Sequence, residues 1–178
     1  MAATAAQQNP FTNLTATLKV LNFLYQTLFY MTSFRQILYH LVIATKNRTP
    51  SLTSEHEKAL YNYIWGIIKE KKEHLYRING MEDHIHILTD LHPTVALADF
   101  IKDIKVASNK WMKEHGGFPK FDSWAEGYAA LTYAYRDKDL IINYIKKQKE
   151  HHKEENFHDE LKRLLEEHGI EFEEKYLI

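Results

Sequence analysis

The chain has 178 residues, 44% apolar and 26% charged, which is the composition of one globular domain with a sizeable core. It contains no cysteine, so disulfides, thiolate catalysis and zinc–thiolate sites are excluded. The formal net charge of −1 is unevenly divided: residues 154–178 carry nine acidic and three basic side chains, leaving residues 1–153 at +5. A basic body with an acidic appendage suits phosphate binding better than the total implies.

Residues 1–30 stand apart as an N-terminal extension. Leu18 to Met31 is apolar but interrupted by Lys19, Asn22, Gln26 and Thr27, too short and too broken for a membrane span. It lacks the early positive charge and cleavage site of a signal peptide. We expect the domain, and the natural start, at Met31. Phe34 to Thr45 is rich in Ile, Leu, Val and Tyr and predicts a first strand. Lys46 to Pro50 breaks it. Ser54 with Glu57 forms a capping box for a helix reaching about Glu73, with Leu60, Ile64, Ile67 and Ile68 as its apolar stripe.

His74 to Ile78 predicts a second strand, and Asn79-Gly80 a tight hairpin turn. Asp83 to Leu91 predicts the third strand. A helix follows Pro93 and Thr94, with Leu97, Ile101, Ile104, Ser108 and Trp111 at helical spacing, and Gly116-Gly117 ends it. Tyr128 to Tyr135 predicts a fourth strand. Asp137 caps a helix running to about Lys153, and Phe157 to His168 is a shorter helix closed by Gly169. Residues 170–178 add a terminal strand or wrap the body. The order β-α-β-β-α-β followed by helices predicts an α+β, ferredoxin-like (RRM-like) antiparallel sheet with two helices on one face. The other face is then open for function.

Two short pieces carry chemistry. In a strand, His84 and His86 point to one face and Ile85 to the other. In a helix, Tyr144 and Gln148 share a face. Two imidazoles and an amide oxygen could hold a divalent metal against a phosphate, with a phenol beside it as nucleophile. Each piece alone has a plainer reading: a chance histidine pair, and a tyrosine packed in a helix core. His151 and His152, one turn further on, read as solvated helix-end residues in preference to DNA contacts or supports for the site.

The combination of residues resembles one family. Tyr39-His40-Leu41-Val42 with Thr45-Lys46-Asn47-Arg48, then Asp83-His84-Ile85-His86-Ile87-Leu88, Trp124 through Gly127-Tyr128, and Tyr144-Ile145-Lys146-Lys147-Gln148 are similar to the single-tyrosine transposases of the His-hydrophobic-His superfamily. These are the insertion-sequence 200/605 type and their repeat-associated relatives. The resemblance covers about residues 32–153. It implies a catalytic domain over residues 31–153 and leaves 154–178 as an acidic helix and tail.

The resemblance implies cleavage and rejoining of single-stranded DNA with hairpin ends through a 5′-phosphotyrosine at Tyr144. His84, His86 and Gln148 would hold the metal. Nitrogen ligands alone favour zinc or nickel; the family implies Mg2+ or Mn2+. It also implies a homodimer in some members, no membrane and no nucleotide cofactor, in a bacterial cytoplasm near the nucleoid. DNA contacts are expected from Lys46, Arg48, Lys102 and Lys105, with Lys110 and Lys113 on the same helix. Trp124 is either a base-stacking platform or a packed core residue. The alternatives are a replication or nicking endonuclease of the same superfamily, a non-catalytic or domesticated single-strand nucleic-acid-binding module, since this fold also serves RNA binding, and a degenerate copy that folds without cutting. The Ala-rich strand from Tyr128 to Leu131 departs from the larger residues expected there.

Overall fold

The computed structural model describes residues 35–177 together with Lys19, Leu21 and Asn22. The chain divides into two units, residues 1–36 and 37–178. In the first, Lys19, Leu21 and Asn22 are helical; the expected start at Met31 lies outside the described residues. Among the described residues no helix is long and apolar enough to cross a membrane.

The second unit is built on a four-stranded antiparallel sheet ordered β2-β3-β1-β4, with β1 Tyr39–Ala44, β2 Leu75–Gly80, β3 His84–Thr89 and β4 Ala129–Thr132. Helices α1 (Glu57–Glu70) and α2 (Leu97–His115) cover one face. Alternation decides which side chains go there. Leu41 and Ile43 of β1 and Ile85 and Ile87 of β3 join Leu60, Ile64, Ile68, Phe100, Ile101, Ile104 and Met112 in the main core. Each of these contributes on the order of 2 kcal/mol by leaving water. Gly116 ends α2 with φ of 75°, a left-handed position that suits a residue without a Cβ.

The opposite face is not open. The predicted helix 137–153 is two helices, α3 (Lys138–Lys146) and α4 (Gln148–His151), and α5 (Phe157–Glu167) follows. Phe157, Leu164 and Leu165 of α5 pack on Val42 and Leu131, with Ala44 and Ala129 beside them. The small residues of β4 and the end of β1 thus make room for a helix. The terminal segment wraps rather than adding a strand: Glu174–Tyr176 is a 3-10 turn, and Leu177 is buried in the same cluster.

Two local expectations fail for identifiable reasons. The capping box does not form. Helix α1 begins at Glu57 after a turn in which the Thr53 carbonyl accepts from the backbone of His56 and Glu57. The Glu57 carboxylate is instead engaged by Lys149 at 2.6 and 2.7 Å. Asn79-Gly80 is strand, not turn, paired with His86 and Ile85, and the chain reverses over residues 81–83. A Cβ at Gly80 would collide with the His84 carbonyl oxygen and lie 2.8 Å from the Ile85 Cα, so the close approach of β2 to β3 requires glycine.

Candidate active site

The register sets His40, Val42 and Ala44 of β1 and His84, His86 and Leu88 of β3 on the face away from α1 and α2. His84 and His86 are fully buried there. Helix α3 is tied to the same face. The Asn79 amide, opposite His86, donates to the carbonyls of Ile145 (2.9 Å) and Lys146 (3.1 Å). This caps carbonyls at the helix end that have no partner within the helix. Tyr144 is thereby brought beside His86 within one chain, ring centroids 6.1 Å apart.

Glu160 of α5 stands at the centre. It is 1% exposed. The Tyr144 hydroxyl donates to its Oε1, and Gln148 Nε2 donates to the same oxygen at 2.8 Å. His152 Nε2 is 3.0 Å from its Oε2. The Nε2 atoms of His84 and His86 lie 3.7 and 3.5 Å from that oxygen. Among the described residues, His84, His152 and Glu160 form a group able to hold a metal ion, with ligand atoms within 4.8 Å of one another.

Both strand histidines have a partner behind them. His84 Nδ1 is 2.7 Å from Asp83 Oδ1, and Asp83 is held by Arg48 at 2.6 and 3.0 Å. A carboxylate accepts, so the His84 proton sits on Nδ1 and the Nε2 lone pair faces the site. His86 Nδ1 is 2.8 Å from Nε2 of the buried His40. If His86 presents a bare Nε2, its Nδ1–H donates to His40, which then carries its own proton on Nδ1.

The electrostatics follow from burial. Burial pushes His84 down to about 4, against the opposing pull of Asp83. Burial, then the neighbouring His86, holds His40 well below its ordinary value, so both rings are neutral at pH 7. Burial would raise Asp83, but hydrogen bonds from His84 and Arg48 take it down to about 2. Burial likewise opposes ionisation of Glu160, and the hydrogen bond with His152, the nearby His86 ring and the Tyr144 hydroxyl overcome it, holding the carboxyl far below its usual range. Burial, the Glu160 charge and the hydrogen bond to it push the Tyr144 phenol well above its ordinary value.

The structure therefore brings together Tyr144, His84, His86 and Gln148. The expected DNA-contact residues are placed differently. Trp124 is 6% exposed, packs in the main core and donates from its indole to Ser108 Oγ at 2.9 Å, so its ring has no free face for a base. Lys105 donates to three carbonyls, of Ala125, Glu126 and Gly127, at 2.8 to 3.0 Å, and serves as a clamp on that loop. Arg48 is bound to Asp83 and lies 4.1 Å over the Phe157 ring. Lys46 is exposed but bridged to Asp122, and Lys102 is exposed.

Two site residues are placed otherwise than the sequence suggests. His152 is not a solvated helix-end residue; its side chain is 7% exposed. Glu160 looks like one more acid of a charged tail. The signal for it is spacing: Phe157, Glu160, Leu161 and Leu164 follow the i, i+3, i+4, i+7 pattern, so Glu160 lies on the apolar stripe.

The family described as "Transposase IS200 like" matches residues 33–148. The chain is 30% identical over 122 residues to the ISDra2 transposase TnpA of Deinococcus radiodurans, covering 64% of this chain and 84% of that protein. It is 28% identical over 120 residues to the transposase for insertion sequence element IS200 of Salmonella typhimurium, covering 65% and 78%. A crystal structure assigned as a transposase of Deinococcus radiodurans R1 aligns with a TM-score of 0.53 at 28% identity, over 66% of this chain and 94% of that one. A REP-associated tyrosine transposase bound to a REP hairpin shares the fold, with a TM-score of 0.50 at 13% identity over 68% and 74%.

Proposed function

We propose, for a chain that belongs to the IS200-like transposase family, that it cleaves and rejoins single-stranded DNA through a covalent Tyr144–phosphate intermediate. One observation carries this reading of the site. His84 Nε2, His86 Nε2 and Gln148 Oε1 are buried atoms without a hydrogen-bond partner, gathered around the Glu160 carboxylate beside the Tyr144 hydroxyl. Orphaned buried polar atoms are costly, on the order of 1–3 kcal/mol each. Two neutral imidazole nitrogens and an amide oxygen are the donor set a divalent cation takes, so the residues fit a metal.

A divalent ion held by His84, His86 and Gln148, with His152 and Glu160 within reach, would neutralise charge on the scissile phosphate and favour the phenolate. Mg2+ or Mn2+ is the reading carried by the family resemblance. The rest falls to the chain itself. Asn79 fixes the end of α3 and so the position of Tyr144. Asp83 and His40 hold the two histidine rings with Nε2 inward. The Tyr144 oxygen attacks phosphorus, the bond to the 3′ oxygen breaks, and that oxygen takes up a proton as the phenol loses one. One phosphodiester replaces another, so a second 3′ hydroxyl can reverse the step without an energy source. The Tyr144 and His86 ring centroids lie 6.1 Å apart within one chain, which supports a site completed in cis. A hairpin-bearing single strand is the substrate class, on the analogy of the repeat-associated relative.

Covalent capture tests this. The protein is incubated with single-stranded oligonucleotides from its own genomic flanks and Mg2+ or Mn2+, then run on a denaturing gel. The expected result is a metal-dependent protein–DNA adduct that Tyr144→Phe and His84→Ala both abolish. An adduct that survives Tyr144→Phe would refute the assignment of the nucleophile.

A further inference from the structure

We propose that the edge strand β2 and the first turn of α3 form a bed for one arm of the single-stranded substrate, with Arg77 on a backbone phosphate and an unpaired base stacked on Tyr135. The inference rests on the transposase reading and deepens it by placing a flank of the substrate. Arg48, Lys46, Lys105 and Lys149 are engaged within the fold, by Asp83, by Asp122, by three carbonyls and by Glu57. Arg77 is not. Among the described residues it has neither an ion pair nor a hydrogen bond, and its Nε is buried without a partner. A guanidinium nitrogen held out of water and unpaired is costly, and phosphate oxygens match the guanidinium fork.

The pairing of β2 places Arg77 on the face of the site. Its partner across the ladder is Leu88, which packs with Ile145 of α3, so Arg77 shares the side that carries His84 and His86. Asn79, two residues further on, caps the end of α3. Between Leu75 and Arg77 the register with β3 shifts, and Tyr76 is the extra residue. Such a bulge re-aims a side chain that plain alternation would send to the opposite face. Leu75 accordingly packs against the main core, whereas Tyr76 joins Ile141, Ile142 and Tyr144 on the same side as Arg77.

Tyr76 leads on to a second ring and a second cation. The Lys138 ammonium, at the start of α3, stands 5.6 Å from the centre of the Tyr76 ring and 4.6 Å from that of Tyr135, and donates to the Tyr135 hydroxyl at 3.3 Å. Asp139 is 3.9 Å from it, but its side chain is 86% exposed, so water screens the pair. Tyr135 itself is 44% exposed and offers a ring to solvent. Lys138 precedes Tyr144 by about 9 Å along the helix axis. Rings beside cations, close to the nucleophile, are what a single strand needs: bases of any identity stack on the rings while the cations hold the backbone. A duplex, whose bases already stack on one another, gains nothing from Tyr135.

The test uses the full chain without metal, a fluorescent poly-dT oligonucleotide, and a duplex of equal length. Arg77→Ala should weaken poly-dT binding and lower its salt slope by about 0.7, the share of one phosphate contact on a single strand. Tyr135→Ala should weaken poly-dT binding on the order of tenfold and leave duplex binding unchanged. Tyr135→Phe keeps the ring, loses only the bond from Lys138, and should bind as the parent does. Parental affinity and slope in a folded Arg77→Ala, or parental affinity in a folded Tyr135→Ala, overturns the proposal. So does an equal loss on single strand and duplex, or a Tyr135→Phe as weak as Tyr135→Ala, which would make the ring a mere support for Lys138. Should a variant not fold, cross-linking on the unaltered chain decides: poly-dT carrying 5-iodouracil should couple to the peptide that contains Tyr135, and coupling only elsewhere overturns the proposal. Adduct formation with Mn2+ separates the bed from the chemistry. If the variants lose binding as expected but the unaltered protein forms no adduct, the bed stands and the transposase chemistry fails. If the unaltered protein forms the adduct and the variants bind as it does, the chemistry stands and the bed fails.

Discussion

His40 Nε2 and His86 Nδ1 face each other at 2.8 Å across the β1–β3 pair, both rings fully buried. One imidazole thus orients another, where His84 is oriented by a carboxylate. Replacing a group that fixes a ligand's tautomer typically costs 10- to 100-fold in metal affinity. His40→Ala should weaken Mn2+ binding, read by titration calorimetry, by about that factor with the circular dichroism spectrum intact. His40→Gln, whose amide oxygen can accept from His86, should recover part of the loss. Unchanged affinity in His40→Ala would remove His40 from the site.

Trp124 and the lysines separate fold from binding. Trp124→Phe removes an indole donor to Ser108 inside the core, so it should lower stability by roughly 1–2 kcal/mol while single-strand affinity of the folded protein stays the same. Lys102→Ala should leave stability alone. If Lys102 meets a phosphate, its loss weakens binding across all sequences and lowers the salt slope by about one. Urea unfolding and fluorescence anisotropy at two salt concentrations check both.

Acid should destabilise the fold through the site. His84 titrates near 4 in the folded protein and near 6.5 unfolded, so the folded state binds fewer protons between those values. Stability then rises with pH across that window and is lost as pH falls through it, by up to roughly 3 kcal/mol for this one group. Glu160, held below the carboxylate range, acts in the same direction at lower pH. His84→Gln should flatten the slope between pH 6.5 and 4 in urea unfolding; an unchanged slope would show that His84 is not the group responsible.

Gly80→Ala should destabilise sharply. The added methyl would meet the His84 carbonyl and the Ile85 backbone, which cannot shift without breaking the β2–β3 ladder. The expected loss is about 2 kcal/mol or more, together with weaker Mn2+ binding because His84 moves with its strand. A variant as stable as the parent would contradict the close approach.

The sheet and its helical face are legible because they depend on local periodicity, whereas the pairing of His84-Ile85-His86 with Tyr144 and Gln148 is implied by the family resemblance and by no local pattern. Ile85 and Ile87 go inward and the histidines outward for the reason any strand alternates. What lies outside local pattern is less legible. Asn79-Gly80 reads as a turn by composition, yet the glycine is needed for a close strand approach and the asparagine for a helix end far along the chain. Ser54 and Glu57 have capping spacing, but Glu57 is taken by Lys149. The Ala-rich β4 is unexplained until α5 is seated on it, and Glu160 is hidden by its acidic neighbours although its spacing puts it with Phe157 and Leu164.

Strand β3 is buried along its whole length, His84 to Thr89. One of its faces builds the core and the other holds the candidate chemistry, while the backbone threads between two partner strands. Few substitutions there can be neutral, since an exchange that spares catalysis is still read by packing, and the reverse. In a saturation mutagenesis library this hexapeptide should form the deepest continuous trough of tolerance in the chain. Drift among related elements should collect instead in exposed positions of α2 and of the segment after residue 148.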